Sequence, residues 1–174
     1  MKVLAFAASN SSQSINRTLA TYAANLIEDA EVETLDIADY EIPIFSEDRE
    51  KELGQPEKAR AFYRKIGEAD ALIVAYAEHN GSYTAAYKNL FDWTSRINNA
   101  VFQHKPALFL STSPGPGGAS SVLASAVNSA AYFAADVKAS LSVPSFHENF
   151  DLEANKLVNS EIEQELKQAV KQLF

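Results

Sequence analysis

Short, continuously apolar runs, each separated from the next by a stretch of helical period, constrain this chain more than any other feature. They fall at residues 3–8, 72–77, 106–110 and 137–143, the last of them with alternation. A strand that is apolar on both sides offers no face to water, so runs of this length point to a parallel sheet covered on both faces. A fifth run, residues 32–37, alternates Val32, Thr34 and Asp36 with Glu33, Leu35 and Ile37, which suits a sheet edge.

Between these runs lie helices. Leu19, Tyr22, Ala23, Leu26 and Ile27 recur at three and four residues and so share one helix face. Ala59, Phe62, Tyr63 and Ile66 form a shorter helix, opened by Pro56 and closed near Gly67. Residues 85–97 and 122–135 make two alanine-rich helices. A last helix carries Ile162, Leu166, Val170 and Leu173 on one stripe, behind a capping box of Ser160 and Glu163. Alternation of strand and helix demands crossover connections. The predicted fold class is therefore α/β, a three-layer sandwich with a five-stranded parallel sheet in order 2-1-3-4-5, in one domain over residues 1–174. Ligands of such sheets sit outside the carboxyl ends of the strands, beside the switch point between the first and third. Residues 39–56 are acidic and without period, and are read as a functional or interfacial loop.

Composition removes several function classes. With no cysteine there are no disulfides, thiolate metal sites or thiol nucleophiles. The formal charge of −8 repels a phosphate backbone, so no nucleic acid partner is expected. The amino-terminal apolar run stops at Ser9 and reads as a strand rather than a leader, and no run approaches the roughly 20 residues a bilayer requires. The expectation is a cytoplasmic protein without a membrane partner.

Three loops at the carboxyl end of the sheet carry the chemistry. After the first strand, Ser9-Asn10-Ser11-Ser12-Gln13-Ser14-Ile15-Asn16 leads straight into a helix. Hydroxyls, amides and free backbone N–H groups at a positive helix end make a receptor for a phosphate dianion, and equally Ser14 serves as an ordinary cap. Neither a GxxxxGK nor a GxGxxG pattern is present. After the third strand, Ala77-Glu78-His79-Asn80-Gly81-Ser82-Tyr83 offers hydrogen-bonding groups and flat faces. There Gly81 permits positive φ or the close approach of a planar ligand, and Asn80-Gly81 is also a common turn. After the fourth, Ser111-Thr112-Ser113-Pro114-Gly115-Pro116-Gly117-Gly118 either wraps a ring edge with backbone donors or merely connects.

These loops resemble those of the NADPH-dependent FMN reductase family of flavodoxin-like proteins, which includes quinone, chromate and azo-dye reductases. The family opening, glycine-serine-x-arginine-x-x-serine-x-asparagine, is met at Ser9, Ser14 and Asn16, with Ala8 for the glycine and Ser11 for the arginine. Its second signature, proline-glutamate-tyrosine-asparagine-glycine-serine, is similar to residues 77–82, with Ala77 and His79 as departures. Lys88, Asn89, Asp92 and Trp93 fit the continuation, and Ile42-Pro43-Ile44-Phe45 resembles the loop after the second strand.

The resemblance implies FMN contacts from Ser9, Ser11, Ser14, Ile15 and Asn16 to the phosphate. Toward the ring it implies Ala77, Glu78, His79, Asn80, Gly81, Ser82, Ser113 and Gly115. Ser11 keeps a hydrogen bond but no positive charge, and His79 brings a titratable ring where the family has a phenol. The implied activity passes hydride from NADPH or NADH through flavin N5 to a quinone, flavin or similar small acceptor, with no catalytic residue of the protein required. A homodimer or homotetramer is implied as well. The aromatic helix bearing Tyr87, Phe91 and Trp93 suits an interface, and equally a core. Two other readings of the scaffold are a flavodoxin-type electron carrier that never meets nicotinamide, and a flavin-less interaction domain.

Overall fold

The computed structural model describes residues 1–174. In chain order the elements are β1 (Lys2–Ala8), α1 (Ile15–Asn25), β2 (Glu31–Leu35), α2 (Glu47–Leu53), α3 (Glu57–Glu68) and β3 (Ala71–Tyr76). A small hairpin of β4 (Glu78–His79) and β5 (Ser82–Tyr83) follows, then α4 (Ala85–Ile97), β6 (Pro106–Thr112), α5 (Ser120–Ala130) and β7 (Asp136–Val143). The chain ends with α6 (Phe146–Asn149), β8 (Phe150–Asp151), β9 (Lys156–Leu157) and α7 (Ser160–Lys171). The main sheet has five parallel strands in the order β2-β1-β3-β6-β7, which is the predicted order and a flavodoxin-like arrangement. No helix is long and apolar enough to cross a membrane.

Both faces of the sheet are buried, which is why its central strands read as continuous apolar runs. Successive side chains of a strand point to opposite faces. Leu4, Phe6, Leu72, Val74 and Phe109 therefore pack on one side against Phe62 and Ile66 of α3, Leu90 of α4 and Val122 of α5. Val3, Ala5, Ile73, Leu108 and Leu110 pack on the other against Leu19 of α1 and Leu166 of α7. Trp93 and Tyr87 belong to this interior: Trp93 is fully buried, edge-on to Phe45 at 5.1 Å, so neither ring is free for a surface contact.

The differences from the sequence reading have local causes. The helical pattern of residues 122–135 starts earlier, at Ser120, and ends at Ala130. A single 3-10 turn, Ala131–Phe133, follows it, with Ala134 in the left-handed region at φ 59°. Ala135 N–H bonds to Ala130 carbonyl at 2.9 Å and Ala134 N–H to Ala131 carbonyl at 3.1 Å, a Schellman closure without the glycine that usually marks it. The acidic segment after β2 contains α2, capped by Ser46 and held by Arg96 on Glu50 at 3.0 Å. None of its residues is buried, so it carries no apolar period.

The last helix is capped one residue earlier than the capping box suggests. Asn159 Oδ1 accepts from the N–H groups of Glu161 at 3.1 Å and Ile162 at 3.3 Å. Asn159→Ala is expected to cost about 1 kcal/mol and Ser160→Ala only a few tenths, read from urea midpoints. Equal effects would mean that Ser160 shares the cap.

Candidate functional site

The loops after β1, β3 and β6 meet in one open cleft of about 290 Å³. Ser9, Ser11, Ser14, Ile15, Asn16, Ala77, Glu78, His79 and Ser113 line it, nine of the thirteen residues singled out in the sequence. Gln13, Thr112 and Pro114 line it too. Gln13 and Pro114 lie inside the loops the sequence pointed to. Thr112 belongs to the third of those loops as read from the sequence, and in the structure it is the last residue of β6.

The first loop is built to present helix-end N–H groups. Ser14 caps α1, its Oγ accepting from Arg17 N–H at 3.2 Å and its carbonyl from Thr18 N–H at 3.2 Å. Arg17 N–H, one of the four without an intrahelical partner, is thereby used, while Thr18 N–H makes the first bond of the helix itself; the N–H groups of Ile15 and Asn16 remain at the cleft. Ser9 Oγ accepts from Ser11 N–H at 3.2 Å, which folds the loop back on itself.

Asn16 has a different task from the one its position suggests. Its amide donates to Thr112 carbonyl at 3.0 Å and accepts from Thr112 N–H at 2.9 Å, so the side chain clamps the end of β6 to the start of α1. The side chain is nearly fully buried, and only its backbone is free to meet a ligand. The cleft has no lysine or arginine in its lining. Arg17 is drawn to Asp36 at the end of β2 and donates to Ser12 carbonyl at 2.5 Å, so it shapes the loop from outside.

Asn80 and Gly81, at φ 53° and 75°, form the two-residue turn between β4 and β5, the positive-φ pair that a type I′ hairpin requires. That turn explains Gly81 without a ligand. Asn80, Gly81 and Ser82 are exposed and stand outside the cleft lining. Glu78 accepts from Val122 N–H at 2.9 Å, placing a carboxylate at the amino end of α5, where no residue of the helix's own start caps it. The hairpin and α5 are thus held together, and His79 projects from the same short strand.

Gly115 lies outside the lining, yet its carbonyl organises the third loop, accepting from Ser113 Oγ at 3.1 Å and Ser145 N–H at 2.9 Å. Gly118, at φ 59°, is the position where this loop needs glycine, because a Cβ there would lie 2.3 Å from Ser142 Oγ.

Beside the cleft is a second concavity of about 350 Å³, between Asn10, the start of α4 and the apolar residues Ile37, Tyr40, Ile42 and Ile44. Asn89 and Trp93 hold that wall. Asn89 accepts from Phe45 N–H at 2.8 Å and donates to Ile42 carbonyl at 3.0 Å, and Trp93 Nε1 donates to Pro43 carbonyl at 2.7 Å. The asparagine and tryptophan that follow the second signature therefore fasten the loop after β2. Lys88 and Asp92 pair along the exposed face of α4 at 2.7 Å.

A family model described as NADPH-dependent FMN reductase matches residues 1–148. The NADH-dependent flavin reductase subunit 2 of Lactobacillus johnsonii is 38% identical over 124 residues, 69% of this chain and 64% of that protein. The 2-hydroxy-1,4-benzoquinone reductase of a Burkholderia species is 33% identical over 117 residues, 66% of this chain and 62% of that protein. The match thus spans slightly less than two thirds of the length of either relative. Among solved structures, the FerB flavoenzyme of Paracoccus denitrificans, an NAD(P)H:(acceptor) oxidoreductase, shares the fold with a TM-score of 0.76 at 24% identity, over 99% of this chain and 94% of that one.

Proposed function

The chain belongs to the NADPH-dependent FMN reductase family, and on that premise we propose that it holds FMN in the three-loop cleft and passes electrons from NADPH or NADH to a small acceptor of the quinone or flavin class. The observation that carries this reading is the meeting of a helix-end anion receptor with two further loops at one switch point of the sheet.

The donor chemistry of the cleft fits the cofactor. Backbone N–H groups of Ile15 and Asn16, with the side chains of Ser11 and Gln13, suit a phosphate. Glu78, the one acidic side chain in the lining, is already engaged by Val122 N–H and by the positive end of α5, which tempers its repulsion of an anion. Ala77, His79 and Ser113 border the part of the cleft suited to a ring. When bound, the flavin supplies the redox chemistry, taking electrons from one partner and releasing them to the next.

The protein's share is to bind and orient. The helix end and serine hydroxyls fix the phosphate, while the Asn16–Thr112 clamp keeps the first and third loops at constant separation. The apolar wall of Ile37, Ile42 and Ile44 gives a flat, uncharged acceptor a place beside the cleft. Ile44 is 67% exposed on that wall, which suits coverage by a second copy of the chain in a homodimer or homotetramer.

The test is reconstitution with FMN, desalting, a visible spectrum, and oxidation of NADPH and NADH followed with benzoquinone present. Retained flavin with turnover is the expected result. Retained flavin without turnover would shift the reading to an electron carrier, and failure to quench FMN fluorescence on titration would defeat both.

A further inference from the structure

The three-loop cleft has no fixed cation. Its twelve lining residues include one carboxylate, Glu78, and neither a lysine nor an arginine. Resting on the reading above, that the cleft holds a flavin, we propose that it selects the ring and ribityl chain rather than the phosphate, and so takes riboflavin nearly as well as FMN.

Three observations carry this inference. The first is where the local cation goes. Arg17 is the one charged residue of α1, and in the chain it follows the free N–H groups of Ile15 and Asn16 directly. Its guanidinium is nonetheless committed to Asp36 and to Ser12 carbonyl. Asp36 is fixed in turn, because its other oxygen accepts from Ala38 N–H at 3.0 Å. The arginine side chain borders a different concavity, with Thr18, Thr21, Thr34 and Asn155.

The second is what stands in place of a cation. A phosphate in the first loop meets neutral donors, the N–H groups of Ile15 and Asn16 and the exposed side chains of Ser11 and Gln13. Such donors exchange hydrogen bonds with water for similar ones with the protein, at little net gain. An ionised donor forms a bond about twice as strong. The helix end adds only a modest attraction.

The third is the field. The chain carries a formal charge of −8, and Glu78 sets a carboxylate in the lining itself. Both repel a phosphate dianion and oppose the attraction of the helix end, whereas uncharged riboflavin meets neither force.

Quenching of flavin fluorescence, titrated with the full chain, measures both affinities without any turnover. His79 is the one lining side chain that protonation could make cationic, so the titrations belong at pH 8.5, where imidazoles are in general neutral. FMN is expected to bind less than about tenfold tighter than riboflavin. Raising NaCl from about 20 to about 300 mM should tighten FMN about twofold and leave riboflavin unchanged, because screening relieves repulsion. A site built on a cation shows the opposite sign.

Ser11→Arg returns a cation to the loop. The loop's own bond uses Ser11 N–H and not its side chain, and the residue is exposed, so the loop keeps its shape. This variant should bind FMN about tenfold tighter than the parent, leave riboflavin unchanged and reverse the salt effect on FMN.

A preference for FMN over riboflavin of more than about tenfold in the parent chain overturns the proposal. So does FMN binding that salt weakens, or a Ser11→Arg protein with no gain for FMN. In each of these cases FMN still binds and the reductase reading stands, whereas binding of neither flavin defeats both.

Discussion

Gly118→Ala is expected to lower the stability of this protein by about 3 kcal/mol, while Gly115→Ala and Gly117→Ala in the same loop change it by less than about 0.5 kcal/mol. Gly118 sits at φ 59°, a region that costs other residues roughly 1–2 kcal/mol. A Cβ would also meet Ser142 Oγ at 2.3 Å and the backbone of Val143 and Pro144 at 3.2 Å. Ser142 cannot move away freely, because its hydroxyl donates to Gly118 carbonyl at 2.9 Å, a group that also receives Ser111 Oγ at 2.7 Å. The double variant Gly118→Ala, Ser142→Gly should recover about half of the loss by removing the clash and leaving the backbone term.

At Gly115 and Gly117 a Cβ meets nothing within 4 Å, and neither has positive φ. Urea midpoints of the four variants decide the matter, and a Gly118→Ala protein as stable as its parent would remove the steric account. If Gly115→Ala instead keeps its stability and loses FMN uptake, the glycine is there for close approach of the ligand.

Asn16→Leu is expected to cost about 4 kcal/mol, a large part of the margin of a small domain. The leucine keeps the approximate shape but leaves Thr112 N–H and carbonyl, both buried, without partners, at roughly 1–3 kcal/mol each. Asn16→Asp separates folding from binding. Its carboxylate still accepts from Thr112 N–H, yet sets an oxygen against Thr112 carbonyl and places a negative charge at the start of α1. Its stability loss should be smaller than that of the leucine variant, about 2–3 kcal/mol, with FMN affinity reduced at least tenfold. Denaturation midpoints and FMN fluorescence titrations at matched fractions folded distinguish the two effects. Equal FMN affinity in the aspartate variant and its parent would show that the phosphate does not lie at this helix end.

Much of the architecture was legible because its signals are short-range. A strand buried on both faces must be apolar at every position, and the runs at residues 3–8 and 72–77 said so without help. Residues 85–97 read as an alanine-rich helix, and the helix has those bounds. Where local chemistry is ambiguous the reading slipped by a residue or a turn, as at Asn159 against Ser160, or at Ala134, which adopts the left-handed conformation that glycine usually marks. The segment α2 was invisible because it buries nothing.

The candidate site divides along the same line. The three loops, and their place at the sheet's carboxyl end, follow from the order of strands and helices, which the sequence by itself determined. What each side chain does there was decided by the tertiary structure. Asn16 reaches Thr112 across 96 positions, Glu78 reaches Val122 across 44, and Asn89 reaches Phe45 across 44. A periodicity or a cap is a relation among neighbours in the chain, whereas a hydrogen bond between loops exists only after the sheet has brought their ends together. The sequence therefore marked polar residues as candidates for a ligand, and folding assigned several of them to holding the cleft open for one.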